Sequence, residues 1–264
     1  MLRVAFVYTL GRLLAWPIRR RLYEFDRLAQ DPQVVQEALL KEIIATQADT
    51  GFGRDHGFST IRTIANFRRQ IPVAPYEYVQ PYIEQVQRGD TRALLSDPDV
   101  LMFALTSGTT AARKFIPVTK RYLQIYRHGW NLWGIRAMRA HKREITLRPI
   151  VQLVGDPDEF RTEAGIPCGS ISGFTADVQK RIIRRQYCVP ACTGRIKDST
   201  ARTYVALRFS IPHAIGMLVA ANPSSLVQMA RLADEYKQEL IRDLADGTLN
   251  PMLDIPSAIR AELK

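Results

Sequence analysis

The sequence is poor in histidine and cysteine. Its four histidines, His56, His128, His141 and His213, are scattered, with no serine or cysteine nucleophile signature beside them. The local marks of nucleophilic hydrolysis are therefore missing. The three cysteines, Cys168, Cys188 and Cys192, make an odd count without framework spacing. That disfavours a secreted disulfide scaffold and fits a reducing, cytoplasmic setting. Cys188 and Cys192 lack a second pair or a nearby histidine, so they read as ordinary small residues rather than metal ligands. No apolar run reaches the roughly 20 residues that a membrane span requires. The opening stretch, MLRVAFVYTLGRLLAWPIRRRLYEF, is interrupted by Arg12 and closed by Trp16-Pro17, and it has no acid before Glu24. It also lacks the charge order and small-residue cleavage site of a signal peptide. An amphipathic helix packed on the domain is expected there, with contact to a membrane surface as the alternative. Repeats, heptads, low-complexity tracts and Gly/Ser linkers are all missing.

What is present is 264 residues of ordinary apolar content, enough for a substantial core. A formal net charge of +11 favours anionic partners, without choosing among nucleic acid, phosphorylated metabolites and membrane. Asp31-Pro32 predicts a helix start, with Val35, Leu39 and Ile43 on its apolar stripe. GFGRDHGFST reads as a glycine-punctuated loop, Thr60 as the cap of a short helix, and IPVAPYEYV as the entry to a helix with Tyr76, Val79, Ile83 and Val86 on one face. DVLMFALT and KFIPVT predict two strands. Thr119 then caps a long helix whose Tyr122, Tyr126, Trp130 and Trp133 are expected in the core rather than on a base-stacking surface. PIVQLVG predicts a buried strand and TADVQKRIIRRQY a basic helix, its Arg181, Arg184 and Arg185 forming a solvated face. Residues 200–221 fit strand and helix equally. The stretch after Asn222 predicts one helix, capped by Ser224 and ended by Gly247.

The two predicted strands enclose TSGTTAARK. A phosphate chain is held well where a glycine-permitted turn exposes backbone N–H groups, hydroxyls add hydrogen bonds, and a cation balances charge. Thr106, Ser107, Gly108, Thr109, Thr110 and Lys114 supply all three. The stretch is no Walker loop: it has one glycine, its lysine lacks a following Ser/Thr, and it leads into a strand. A solvated hairpin turn is the plain alternative.

TSGTTAARK resembles the phosphate loop of adenylate-forming enzymes, TSGTTG-x-P-K-G, with Ala111, Arg113 and Phe115 replacing that pattern's Gly, Pro and final Gly. TQADTGFGRDHGFSTI, FRRQIPVAPYEYVQPYIEQVQRGD, KFIPVT and NPSSLVQMARLADEYKQELIRDLADGTL, in order over residues 30–250, are together similar to the auxin-responsive Gretchen Hagen family of acyl acid amido synthetases. The resemblance implies an α/β fold: the large N-terminal domain of an adenylate-forming enzyme, helical at its start and then a mixed sheet with helices. It also implies ATP and Mg2+ as cofactors and a carboxylic acid and an amine, such as an amino acid, as substrates. The implied reaction is adenylation of the acid followed by amide formation. Thr106 to Thr110 and Lys114 are then the ATP-phosphate contacts, and no metal ligand or catalytic base is assigned.

The later acidic motif and the ribose-binding Gly-Asp of that family have no convincing counterpart: Gly89-Asp90 matches an earlier position of the family's pattern, and Gly155-Asp156 comes too soon and reads as a turn after a strand. Residues 1–264 are accordingly expected to be a single, partial N-terminal domain without the C-terminal one. An acyl-CoA ligase with the same loop, a basic nucleic-acid-binding protein and a scaffold without catalysis are the alternatives.

Overall fold

The computed structural model describes residues 16–106 and 113–263, apart from residue 18. Residues 19–28 are helical, with Leu22 buried and Tyr23 and Phe25 exposed. Of the packed helix expected over residues 1–25, residues 1–15 lie outside the described residues.

Pro32 supplies a preset φ where a missing N–H costs nothing, and α1 runs over Pro32–Gln47. The expected glycine-rich loop is instead mostly helical: α2 spans Gly51–Asp55 and a 3-10 turn spans Phe58–Thr60. The reason is local capping. Thr50 Oγ1 accepts from Gly53 N–H at 2.9 Å, and Phe58 packs with Ile44 and Ile61 in a small core. Thr60 ends that turn and caps nothing. The cap of α3 (Ile64–Gln70) is Thr63, in a reciprocal box with Asn66. Helix α4 (Tyr76–Gln87) buries Ile83 and Val86, as its spacing predicts.

Strand β1 (Val100–Thr106) and strand β2 (Lys114–Thr119) flank the loop. Thr119 Oγ1 accepts from Tyr122 N–H at 3.2 Å, at the start of α5 (Lys120–Ala140). The aromatic stripe of α5 is not core. The helix buries Leu123 and Leu132, while Tyr122, Trp130 and Trp133 are exposed. Neighbouring rings cover one another instead: centroids are 6.1 Å apart for Tyr122–Tyr126 and Tyr126–Trp130, and 5.1 Å for Trp130–Trp133.

A short helix, α6, spans Lys142–Ile145. Strand β3 (Ile150–Gln152) follows, then β4 (Phe160–Arg161) and β5 (Pro167–Gly169). One sheet has the order β2-β1-β5-β4, and β4 pairs antiparallel with β5 at Phe160↔Cys168. The predicted basic helix breaks into α7 (Ile171–Asp177) and α8 (Arg181–Arg184), because Lys180 is extended at ψ 137°. Gly173 in α7 is required: a Cβ there would meet the Gly155 carbonyl oxygen at 2.1 Å. Residues 199–210, ambiguous in sequence, form helix α9 (Ser199–Ser210). Strand β6 (Met217–Val219) pairs parallel with β3, Val151 opposite Leu218.

The stretch expected as one terminal helix is two, α10 (Pro223–Glu235) and α11 (Lys237–Asp246), interrupted at Tyr236 with φ −101° and ψ 22°. Asn222 caps the first, rather than Ser224, by accepting from Ser224 N–H at 3.0 Å. Gly247 ends the second in the left-handed region at φ +68°, as expected. Helix α12 spans Ser257–Glu262.

Two compact units result. The first gathers described residues up to Phe103 with Lys114–Ala140 and Thr162–Ile166; the second gathers residues 104–106 and 113, His141–Arg161 and the described residues from Pro167 onward. The core of the second unit joins Val151 and Val189 to Tyr204, Leu207, Met229, Leu232 and Leu240. A neighbouring cluster joins Cys192, Ile196, Val205, Ile255 and Ile259. No helix of the described residues is long and apolar enough to cross a membrane.

Candidate functional site

The stems of the loop are built by burial. Met102, Phe103 and Ala104 are buried on β1, after which exposure rises and Thr106 ends the strand in solvent. Val118 and Thr119 are buried at the far end of β2, whereas Lys114 and Phe115 are only half-buried at its start. Each strand is thus anchored away from the loop and open toward it. Of the predicted phosphate contacts, Thr106 is the exposed end of one stem and Lys114 the first residue of the other. Ser107, Gly108, Thr109 and Thr110 lie outside the described residues.

Charges around the stems are arranged in pairs, with one departure. Arg113 donates to Glu159 at 2.8 Å, and Lys120 donates to Asp99 at 2.6 Å. Both pairs are exposed, so each contributes little to stability; the Lys120 ammonium is held above its usual range chiefly by its hydrogen bond to Asp99. Lys114 faces a ring instead. Its Nζ lies 5.5 Å from the centroid of Tyr76, and Tyr76 Oη accepts from Phe115 N–H at 2.9 Å. Burial pushes the Tyr76 phenol above its ordinary value, so it stays neutral. Phe115 packs edge-on against Phe103, centroids 6.0 Å apart. An ammonium held this way, over a ring rather than against a carboxylate, suits binding and neutralisation of an anion. It is not the geometry of a proton-transfer site.

The sequence reading missed Tyr76, Arg113 and Glu159 as neighbours of the loop. Spacing puts Tyr76 on the apolar face of α4 and shows Arg113 only as a departure from a motif. Nothing in a one-dimensional pattern brings residue 76 to residue 115 or residue 113 to residue 159.

Gly89 lies in a turn after α4, whereas Gly155 and Asp156, expected as a turn, lie in irregular backbone after β3. Gly89 has φ +105° and leads into a 3-10 turn at Thr91–Ala93. Asp156 spends its groups locally: its carbonyl accepts from Ser170 N–H at 2.6 Å and its Oδ1 from Asp158 N–H at 3.0 Å. Residues 181, 184 and 185 are exposed, and Arg184 donates to the Asp177 carbonyl at 2.9 Å.

Comparison with known proteins identifies the class. Residues 21–264 match the GH3 family N-terminal domain, and the chain belongs to that family. It is 35% identical over 262 residues to indole-3-acetic acid-amido synthetase GH3.8 of Oryza sativa subsp. indica, covering 91% of this chain and 41% of that protein. It is 28% identical over 249 residues to jasmonoyl–L-amino acid synthetase GH3.3 of Oryza sativa subsp. japonica, covering 90% and 53%. It is also 21% identical over 246 residues to jasmonoyl–L-amino acid synthetase JAR6 of Nicotiana attenuata, covering 89% and 41%. The chain therefore spans about half the length, or less, of these curated relatives. Among solved structures, GH3.15 acyl acid amido synthetase superposes with a TM-score of 0.77 at 18% identity, covering 91% of this chain and 43% of that one. The α/β fold expected from the resemblance is thus the fold of the GH3 N-terminal domain.

Proposed function

We propose that this chain carries the phosphate-holding part of an ATP-dependent acyl acid amido synthetase. Residues 1–264 belong, on this reading, to one adenylate-forming N-terminal domain working in a reducing, cytoplasmic compartment. The observation that carries the proposal is the Lys114 ammonium at the exit of TSGTTAAR, held by Tyr76 and paired with no carboxylate among the described residues, in a chain of a family whose named relatives are amido synthetases.

In the first step a carboxylate oxygen of the acid attacks the α-phosphorus of ATP, the bond to the bridging oxygen breaks, and pyrophosphate leaves with the electron pair. In the second, a neutral amine attacks the acyl carbon of the acyl adenylate, AMP leaves and the amine gives up a proton, so that an amide forms. The first step needs no base because a carboxylic acid is already ionised near neutral pH. What it needs is negative charge held and oriented so that attack is in line. Thr106, Ser107, Gly108, Thr109 and Thr110 supply hydroxyls and backbone N–H groups for the phosphate oxygens, and Lys114 supplies charge. Bound with the nucleotide, Mg2+ would share that neutralisation; none of this chain's residues is assigned to it. The acid and the amine are small-molecule partners, and no nucleic acid is required.

The test is acid-dependent exchange of labelled pyrophosphate into ATP by the protein that carries this chain. Lys114→Ala and Ser107→Ala are each expected to slow exchange by about 10-fold or more, the scale of a lost hydrogen bond to a charged group. Undiminished exchange in both variants overturns the loop assignment. Amide formed with an amino acid acceptor, and no thioester formed with coenzyme A, separates this reading from an acyl-CoA ligase.

A further inference from the structure

Lys114 sits between two cations of different circumstance. Arg113, the preceding residue, is ion-paired with Glu159, and Lys120, the first residue of the helix after the same strand, is ion-paired with Asp99. Lys114 pairs with no carboxylate among the described residues, yet it is not left to wander, because its Nζ lies 5.5 Å from the centroid of the Tyr76 ring. The difference matters chemically. A carboxylate would fix the ammonium but cancel its charge, and an incoming anion would have to displace it. An aromatic face attracts a cation through its quadrupole and leaves the net charge intact. The ammonium also keeps N–H donors for an anion, since a ring covers only one side of it.

The tyrosine is itself well placed to serve as a fixed platform. It is the first residue of α4, set by Pro75 and followed by a helix that buries Ile83 and Val86. Its hydroxyl is anchored to the backbone of β2, accepting from Phe115 N–H at 2.9 Å and donating to the Phe115 carbonyl at 3.4 Å. One side chain therefore ties the helix to the strand at the residue after Lys114 and also lies under the lysine. A lysine stem has four rotatable carbons; restricting it before the anion arrives lowers the ordering cost of binding.

We propose that Tyr76 is a positioning residue for phosphate binding, presenting the Lys114 ammonium to a polyphosphate without neutralising it. The inference rests on the phosphate-loop reading above and extends it to a residue outside the loop. The experiment is MgATP binding to the full chain by isothermal titration, with thermal unfolding of every variant measured alongside. Tyr76→Leu is expected to raise Kd about 2- to 5-fold, the worth of an exposed cation–π contact. Tyr76→Phe keeps the ring and is expected to bind MgATP like the parent, even though losing the hydroxyl anchor lowers its unfolding temperature. In a Lys114→Met background, Tyr76→Leu is expected to cause no further loss, because the residue acts through the lysine.

Parent-like binding by Tyr76→Leu, when Lys114→Met binds weakly, overturns the proposal. So does an equal loss from Tyr76→Leu with and without the lysine, which marks a purely structural role. Weak binding by a folded Tyr76→Phe also overturns it, and this arm stands even where the leucine variant does not fold. If Lys114→Met binds like the parent, the phosphate-loop reading itself has failed, and that result is distinct from all the others.

Discussion

Asp243 is only 1% exposed, and the molecule surrounds it with donors. Its Oδ2 accepts from Tyr204 Oη at 2.7 Å and from Asn250 N–H at 2.6 Å, and its Oδ1 accepts from Thr248 Oγ1 at 3.3 Å. The buried carboxyl thereby ties α9 to the end of α11 and to the turn that follows. Tyr204→Phe removes one donor without changing shape and is expected to cost about 2 kcal/mol. Denaturant unfolding should report this as a lower midpoint at unchanged slope; an unshifted midpoint would show that Asp243 is satisfied without the tyrosine. Cys192 supplies a second residue-scale prediction. Burial and the neighbouring Glu262 carboxylate push its thiol up to about 11. A raised thiol favours the fold completely below its unfolded value near 9, and that contribution is lost as pH climbs from 9 toward 11. Native protein at pH 8 should therefore leave Cys192 unalkylated by iodoacetamide, with labelling appearing only on unfolding; rapid native labelling by mass spectrometry would refute this. Neither feature was legible in sequence, because Asp243 there is one acid in a charged helix and Cys192 one small residue. The placing of Thr106 and Lys114 on two strands either side of one loop was legible, since short apolar runs flank the stretch between them.

At the scale of elements, legibility followed the clarity of one-sided burial. Helix α4 is legible because its buried residues, Ile83 and Val86, recur at helical spacing. Helix α9 is not, because Ala201, Tyr204, Val205, Ala206, Leu207 and Ser210 are all buried; a helix enclosed on most sides loses the period that identifies it. The aromatic stripe of α5 misled for the opposite reason: helical spacing is visible, but which face is covered depends on partners that the period does not name. Helix ends were the least legible, because several hydroxyl and amide side chains compete for each cap. At the start of α10 the structure chooses Asn222, with Pro223 next, over Ser224. Asn222→Ala is expected to destabilise by about 1 kcal/mol and Ser224→Ala by clearly less. Equal losses in the two variants, measured by chemical unfolding, would return the cap to Ser224.

The molecule as a whole carries a net charge of +11, from 37 basic and 26 acidic residues. A field of this size attracts any polyanion, so binding of ATP alone does not distinguish a built site from general attraction. Ionic strength does. At about 0.15 M salt, charges farther apart than roughly 8 Å are largely screened, whereas a contact between an ammonium and a phosphate oxygen is not. Lys114→Ala removes a single charge of this excess and should hardly change the salt concentration at which the protein leaves an immobilised polyanion such as heparin. The same substitution should weaken MgATP binding about 10-fold or more at 0.15 M salt, because it removes a charged donor from the loop. A dispersed basic surface predicts otherwise: small and parallel losses in both measurements, with a steep salt dependence for each. Divergence of the two readouts would localise anion recognition to the stems of TSGTTAARK, and parallel change would assign it to the surface at large. The comparison works at this scale because the lysine is one cation among many for the field but the first residue of β2 for the site.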